Sequence, residues 1–159
     1  MEKFSNIVIL CVGTNKLIGD SIGPIVGQKL TRLLNDKENV KIYGNTRETL
    51  NLQNARHILE EIPYIYQAPF IITIDAALGP KEMIESIFIT TGKIKIGEAL
   101  GHSIGYYSNI NIKGIVGEYQ ENLKENLDTL SEVKRKCIHK LSNQITYEVC
   151  QMVEQINCV

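Results

Sequence analysis

Two aspartates stand out for where they fall. Asp20 lies in the glycine-rich stretch Gly13-Thr14-Asn15-Lys16-Leu17-Ile18-Gly19-Asp20-Ser21-Ile22-Gly23-Pro24, and Asp75 follows the apolar run Phe70-Ile71-Ile72-Thr73-Ile74. Two carboxylates that share a cleft cannot both ionise cheaply, so one keeps its proton. The ionised one can act as a base toward water and the protonated one as an acid toward a carbonyl or leaving amine, which is the chemistry of peptide hydrolysis. Each acid also has a structural reading. Asp20, just before a helical segment that carries Pro24, suits a helix N-cap, and Asp75 suits a turn or cap.

Other residues offer weaker chemistry. His102, in the glycine-rich segment from Gly97 to Gly105, would complete a carboxylate-histidine metal set with the two acids if its loop folded toward them; otherwise it is a solvated loop residue. Gly13, Gly19 and Gly23 could cradle a phosphate, but the dinucleotide and Walker patterns are absent and Asp20 would repel an anion. His57 and His139 read as surface residues. The cysteines Cys11, Cys137, Cys150 and Cys158 have no metal-binding or nucleophile spacing, and read as buried or half-buried thiols in a reducing compartment.

The surrounding pattern must position the two acids. Residues 6–12 form a nearly continuous apolar run, as expected of a strand covered on both faces. Helical spacing follows over about 20–35, with Asn35-Asp36 as a stop. A short strand over Val40–Tyr43 ends at Gly44, and a helix follows over Leu50–Ile62, closing before Pro63. The third strand enters after Pro69 and runs to Ile74. Residues 86–90 and 93–96 read as two short strands or one bent around Gly92, and 109–116 as the last strand. Apolar residues from Leu127 to Ile156 recur every three or four positions, predicting one long C-terminal helix with a potential break at Ser142-Asn143.

Alternating strands and helices predict a single α/β domain over residues 1–159, a sandwich around a mainly parallel sheet. If strands one and three are neighbours with strand two outside, the winding switches between them. Asp20 and Asp75 then meet at the crevice where such sheets bind ligands.

The chain has 159 residues and a formal net charge of -1. That balance gives no general pull toward nucleic acid or anionic lipid, and no run approaches the roughly 20 apolar residues of a membrane span. No leader is read at the start, and the cytoplasm is the expected location.

The stretches Gly13–Pro24 and Ile74-Asp75-Ala76-Ala77-Leu78-Gly79 resemble the sporulation proteins of the YyaC type, relatives of the spore germination protease, an atypical aspartic endopeptidase. The resemblance runs over about residues 6–117, more weakly through Asn111–Val116. It implies the three-layer α/β/α sandwich of hydrogenase maturation proteases, with Asp20 and Asp75 as the catalytic pair. Thr14, Asn15 and His102 would line the substrate site. The implied partner is a protein or peptide substrate, with small acid-soluble spore proteins as the suggested class. No cofactor and no resident metal are implied. A non-catalytic binding or scaffold protein of the sporulating cell is the alternative. A metal-recognising maturation endopeptidase is the third, though Ser21 stands where those enzymes usually have a glutamate.

Overall fold

A computed structural model describes residues 4–97 and 103–158. The strands are β1 (Ile7–Cys11), β2 (Val40–Tyr43), β3 (Phe70–Gly79), β4 (Ile87–Ile96) and β5 (Ile104–Glu118). The helices are α1 (Ile22–Leu33), α2 (Ala55–Ile65), α3 (Leu123–Glu132) and α4 (Arg135–Asn157). The strands form one sheet in the order β2-β1-β3-β5-β4, parallel except for the antiparallel edge strand β4.

Side-chain alternation along β1 divides the core between the two faces of the sheet. Ile7, Ile9 and Cys11 pack with α1, α3 and α4, whereas Val8 and Leu10 pack with Ala55, Leu59 and Ile62 of α2. Every β1 residue is buried, as its unbroken apolar run requires. The result is a three-layer α/β/α sandwich with β1 and β3 adjacent and β2 outside them, as the order of elements implied.

Several boundaries differ from the sequence reading. β5 begins at Ile104 rather than Asn109, because the edge strand β4 pairs with it from Ile96 on. β3 continues beyond Ile74 to Gly79, because β5 pairs with it as far as Glu118. α2 begins at Ala55 rather than Leu50 and runs through Pro63 to Ile65. Pro63 removes the hydrogen bond to the Leu59 carbonyl, yet the helix continues for one exposed turn through Tyr64 and Ile65. The C-terminal segment is two helices that part at Val133 and Lys134, both extended. Val133 is buried with Leu130 and Cys137, so the apolar spacing runs on through a break it cannot reveal. Ser142, by contrast, sits inside an unbroken α4, its hydroxyl donating to the His139 carbonyl.

The glycine-rich stretch is shaped by contact with backbone. A Cβ on Gly23 would come within 1.9 Å of the Val12 carbonyl oxygen, and one on Gly13 within 2.2 Å of the Asp20 carbonyl oxygen. Gly13 also has φ of 151°, a conformation that L side chains rarely adopt. These contacts press the start of α1 onto the end of β1.

Helix propensity alone would make Gly23→Ala stabilising by up to about 1 kcal/mol. The contact with Val12 reverses the sign. Gly23→Ala is expected to lower unfolding free energy by roughly 1–3 kcal/mol or more, read from urea midpoints. Gly105→Ala, where nothing lies within 4 Å of the added carbon, should stay within about 0.5 kcal/mol.

Candidate active site

The site exists because β1 stops and β3 does not. The last β1–β3 pair is Cys11 with Ile74, followed by a hydrogen bond from the Val12 amide to the Ile74 carbonyl, 2.8 Å. There the β1 chain turns off at Gly13. Asp75 is the next residue of β3, so one flank of that strand opens at its position. This corrects the reading of Asp75 as a turn or cap: it lies within a strand, opposite Lys113 of β5.

Asp20 reaches the same opening from the returning loop. It ends a single 3-10 turn, Ile18–Asp20, anchored by its amide on the Leu17 carbonyl at 3.1 Å and by the Thr14 amide on its own carbonyl at 2.9 Å. The residue flanking α1 is Ser21, and no side chain caps that helix. Asp20 is therefore not spent on capping.

Both acids line one cleft of about 300 Å³, together with Thr14. Each is only 8% exposed. Burial pushes Asp20 up to about 7, opposed by a backbone hydrogen bond from Thr14. Burial raises Asp75 well above the ordinary carboxylate range, and the Asp20 charge adds to it; Lys113 and the amides of Ala76 and Gly97 pull the other way. One negative charge in the cleft thus disfavours the second, so the pair keeps a proton above the ordinary carboxylate range.

The other candidate residues separate. Thr14 accepts from the Lys16 amide at 3.2 Å, which leaves its hydroxyl hydrogen free to point into the cleft. Asn15 turns away: its Nδ2 donates to the Thr46 carbonyl at 2.8 Å, and it borders a different groove. Ser21 faces that groove too, its hydroxyl donating to the Ile18 carbonyl at 2.6 Å. His102 lies outside the described residues. Among the described residues, no three of His, Cys, Asp and Glu cluster as a metal site would require. Burial pushes the Cys11 thiol up, which suits an inert core residue.

Sequence reading missed one wall. Thr49, Asn51, Leu52 and Gln53 face the acids from the segment before α2. Apolar spacing places residues 50–53 in the helix, but α2 begins at Ala55. Leu50 instead bridges to Val12, its carbonyl accepting from Gly13 at 2.9 Å. The signal was present in Thr49, Asn51 and Asn54, whose side chains close the loop. Asn54 accepts from the Asn51 amide and donates to the Thr49 carbonyl.

The fold is shared with a solved protease. The structure superposes with a TM-score of 0.62 on the crystal structure of the NiFe hydrogenase maturation protease HycI from Thermococcus kodakarensis KOD1, at 17% identity, covering 98% of this chain and 94% of that one. At that identity the likeness establishes the fold. The chain belongs to the family described as Protein of unknown function (DUF1256), which matches residues 1–148. It is also 32% identical over 110 residues, 69% of its length, to the "Uncharacterized protein YyaC" of Bacillus subtilis (strain 168). The chain spans about half the length of that curated relative, 53%.

The buried acids make stability depend on pH with a definite sign. Asp20 is raised from 3.8 to about 7 and Asp75 well above 3.8, so between the ordinary and folded ranges the folded chain holds protons that the unfolded chain has lost. Their contribution is therefore full below about pH 4 and is lost as pH rises through 7. Asp20→Asn removes one of these groups and weakens the effect on the other. Between pH 4 and pH 8 the variant should lose less unfolding free energy than wild type, by on the order of a few kcal/mol. Parallel denaturation curves at each pH would show equal losses if the acids were solvated.

Proposed function

We propose that this chain is an aspartic-type endopeptidase in which Asp20 and Asp75 act on a water molecule, with no covalent intermediate. The observation that carries this reading is the pairing of two nearly buried acids in one cleft, with the charge of one raising the pKa of the other. Capping would explain neither, since α1 has no side-chain cap and Asp75 is within a strand.

In this reading the Asp20 carboxylate takes a proton from water as the water oxygen bonds to the substrate carbonyl carbon. Asp75 gives its proton to the carbonyl oxygen, and a gem-diol forms. Asp20 then passes its proton to the amide nitrogen as the C–N bond breaks. Asp75 recovers a proton from a gem-diol hydroxyl, so both acids return to their starting states. The free hydrogen of Thr14 would hold the water or the substrate carbonyl.

Resemblance to spore proteins points to the cytosol of a sporulating cell, where small acid-soluble spore proteins are the first substrates to test. A helix long and apolar enough to cross a membrane is absent among the described residues.

The test is cleavage of a small acid-soluble spore protein by wild type, Asp20→Asn and Asp75→Asn across pH. Each substitution should reduce the rate by roughly 100-fold to 10,000-fold with folding intact. The wild-type rate should rise with pH through about 7, as Asp20 ionises, and fall again as Asp75 loses its proton. A wild type inactive at every pH would leave a binding protein built on a protease fold.

A further inference from the structure

Alternation along β3 puts Ile71, Thr73 and Asp75 on the face of the sheet that α2 covers, and β5 sets Asn111 beside Thr73 and Lys113 beside Asp75. Thr73 is 2% exposed and Asn111 1%. Among the described residues, Thr73 Oγ1 and Asn111 Oδ1 are the only buried side-chain oxygens or nitrogens without a hydrogen-bond partner. Such atoms are rare in folded proteins, and an ordered water is a common partner for them. We infer that Thr73 and Asn111 are positioning residues for Asp75, acting through one buried water that fixes which carboxyl oxygen carries the proton. The inference rests on the peptidase reading for the use of that proton, but not for the water site itself.

Donors and acceptors set the direction of this network. β4 bulges between Thr90 and Gly92, where Gly92 has φ of 90°, and the Gly92 carbonyl there accepts from Asn111 Nδ2 at 3.2 Å. A carbonyl can only accept, so the Asn111 amide cannot be flipped and its Oδ1 is left as a pure acceptor. The Thr73 hydroxyl has a hydrogen to give. A water that accepts from Thr73 and donates to Asn111 keeps one hydrogen. Neighbouring strands stand about 4.8 Å apart, and Asp75 lies about 6.6 Å beyond Thr73 along its own strand. Two hydrogen bonds through one water span roughly 5.5 Å, so the remaining hydrogen reaches the inner carboxyl oxygen of Asp75. Three bonds are the usual complement of a buried water. Nearby polar groups do not compete for it. The Ser108 hydroxyl is shared between the Ile71 and Ile110 carbonyls at 3.0 and 2.8 Å, and Asn109 Oδ1 accepts from the Ile71 amide at 2.7 Å.

The consequence falls on Asp75. With its inner oxygen accepting from the water, its proton sits on the outer oxygen, toward the cleft, where a substrate carbonyl would receive it. A proton turned inward onto Thr73 would be out of the substrate's reach. Other charged and titratable groups also surround this acid. Asp20 faces it from the 3-10 turn, Lys113 stands beside it on β5, and Lys16 lines the same cleft. The β4–β5 hairpin packs Tyr106 on this face with Ile94, Ile96 and Ile104, and α2 contributes Ala55, Leu59 and Ile62. A substitution at Thr73 alters none of them.

The test uses Thr73→Val, which removes the hydroxyl and keeps the shape, and Thr73→Ser, which keeps the hydroxyl. Water–protein cross-relaxation NMR should find a long-lived water at the Thr73 methyl and the Asn111 side-chain amide of wild type. The urea midpoint of Thr73→Val at pH 5 should fall, because the water and Asn111 lose a bonded partner; replacing an orphaned hydroxyl would leave it unchanged or raise it. In a carboxyl-carbon titration, Thr73→Val should raise the proton affinity of Asp75 by about 3-fold to 10-fold, since the charged form loses the support of the water, and Thr73→Ser should leave it in place. With a small acid-soluble spore protein as substrate, kcat should fall roughly 10-fold in Thr73→Val at unchanged KM and recover in Thr73→Ser. A wild type without this water, a midpoint unchanged or raised in Thr73→Val, or an Asp75 transition that stays put or moves down would overturn the assignment. Hydrolysis by wild type is scored separately. The expected shift of Asp75 without any hydrolysis would support the water network and sink the peptidase reading; hydrolysis with an unmoved Asp75 would do the reverse.

Discussion

Strand β1 has to end where it does because α1 is packed against it without clearance. With the Val12 carbonyl where a Cβ of residue 23 would sit, the chain leaving β1 must turn sharply at Gly13 and return through a tight turn. Neighbouring β3 has no such constraint and runs on beside β5. The difference in length opens a gap beside β3, and the first residue of β3 beyond the last β1 pair is Asp75. The returning turn puts Asp20 at the same gap. Two carboxylates are thereby brought out of water together by backbone packing, at a cost in stability that a purely structural role would not explain.

The environment then makes the two acids different. Asp20 is raised mainly by burial, whereas Asp75 is raised by burial and by the Asp20 charge. Lys113, opposite Asp75 on β5, moderates the effect, as do the amides around it. A pair arranged in this way can divide one proton near neutral pH, which is what acid-base hydrolysis with water needs and what a capping residue does not.

Much of this was legible in the sequence, and the reasons differ by element. β1 announced itself because a strand covered on both faces must be apolar throughout. The adjacency of β1 and β3 followed from the order of elements, and it placed the two acids at the switch point. The end of β3 was not legible, because it is set by pairing with a strand nearly 40 residues later in the chain. Nor was the break between α3 and α4, because Val133 stays buried on both sides of it. Thr49–Gln53 hid under an apolar spacing that Leu50 and Leu52 happen to share with a helix. Asn15 looked like a cleft residue by proximity to Thr14, but one peptide of rotation sent it into the neighbouring groove.

The most direct measurement of the central claim is a carboxyl-carbon NMR titration of aspartate-labelled wild type, Asp20→Asn and Asp75→Asn. The account predicts two aspartates that remain protonated well above the ordinary range near 4. Asp20 should titrate near 7, Asp75 should stay protonated well above the ordinary range, and its transition should move down when Asp20 is replaced. Two carboxyls that both ionise near 4, or an Asp75 transition indifferent to Asp20, would contradict it, because the acids would then share a cleft without sharing a proton.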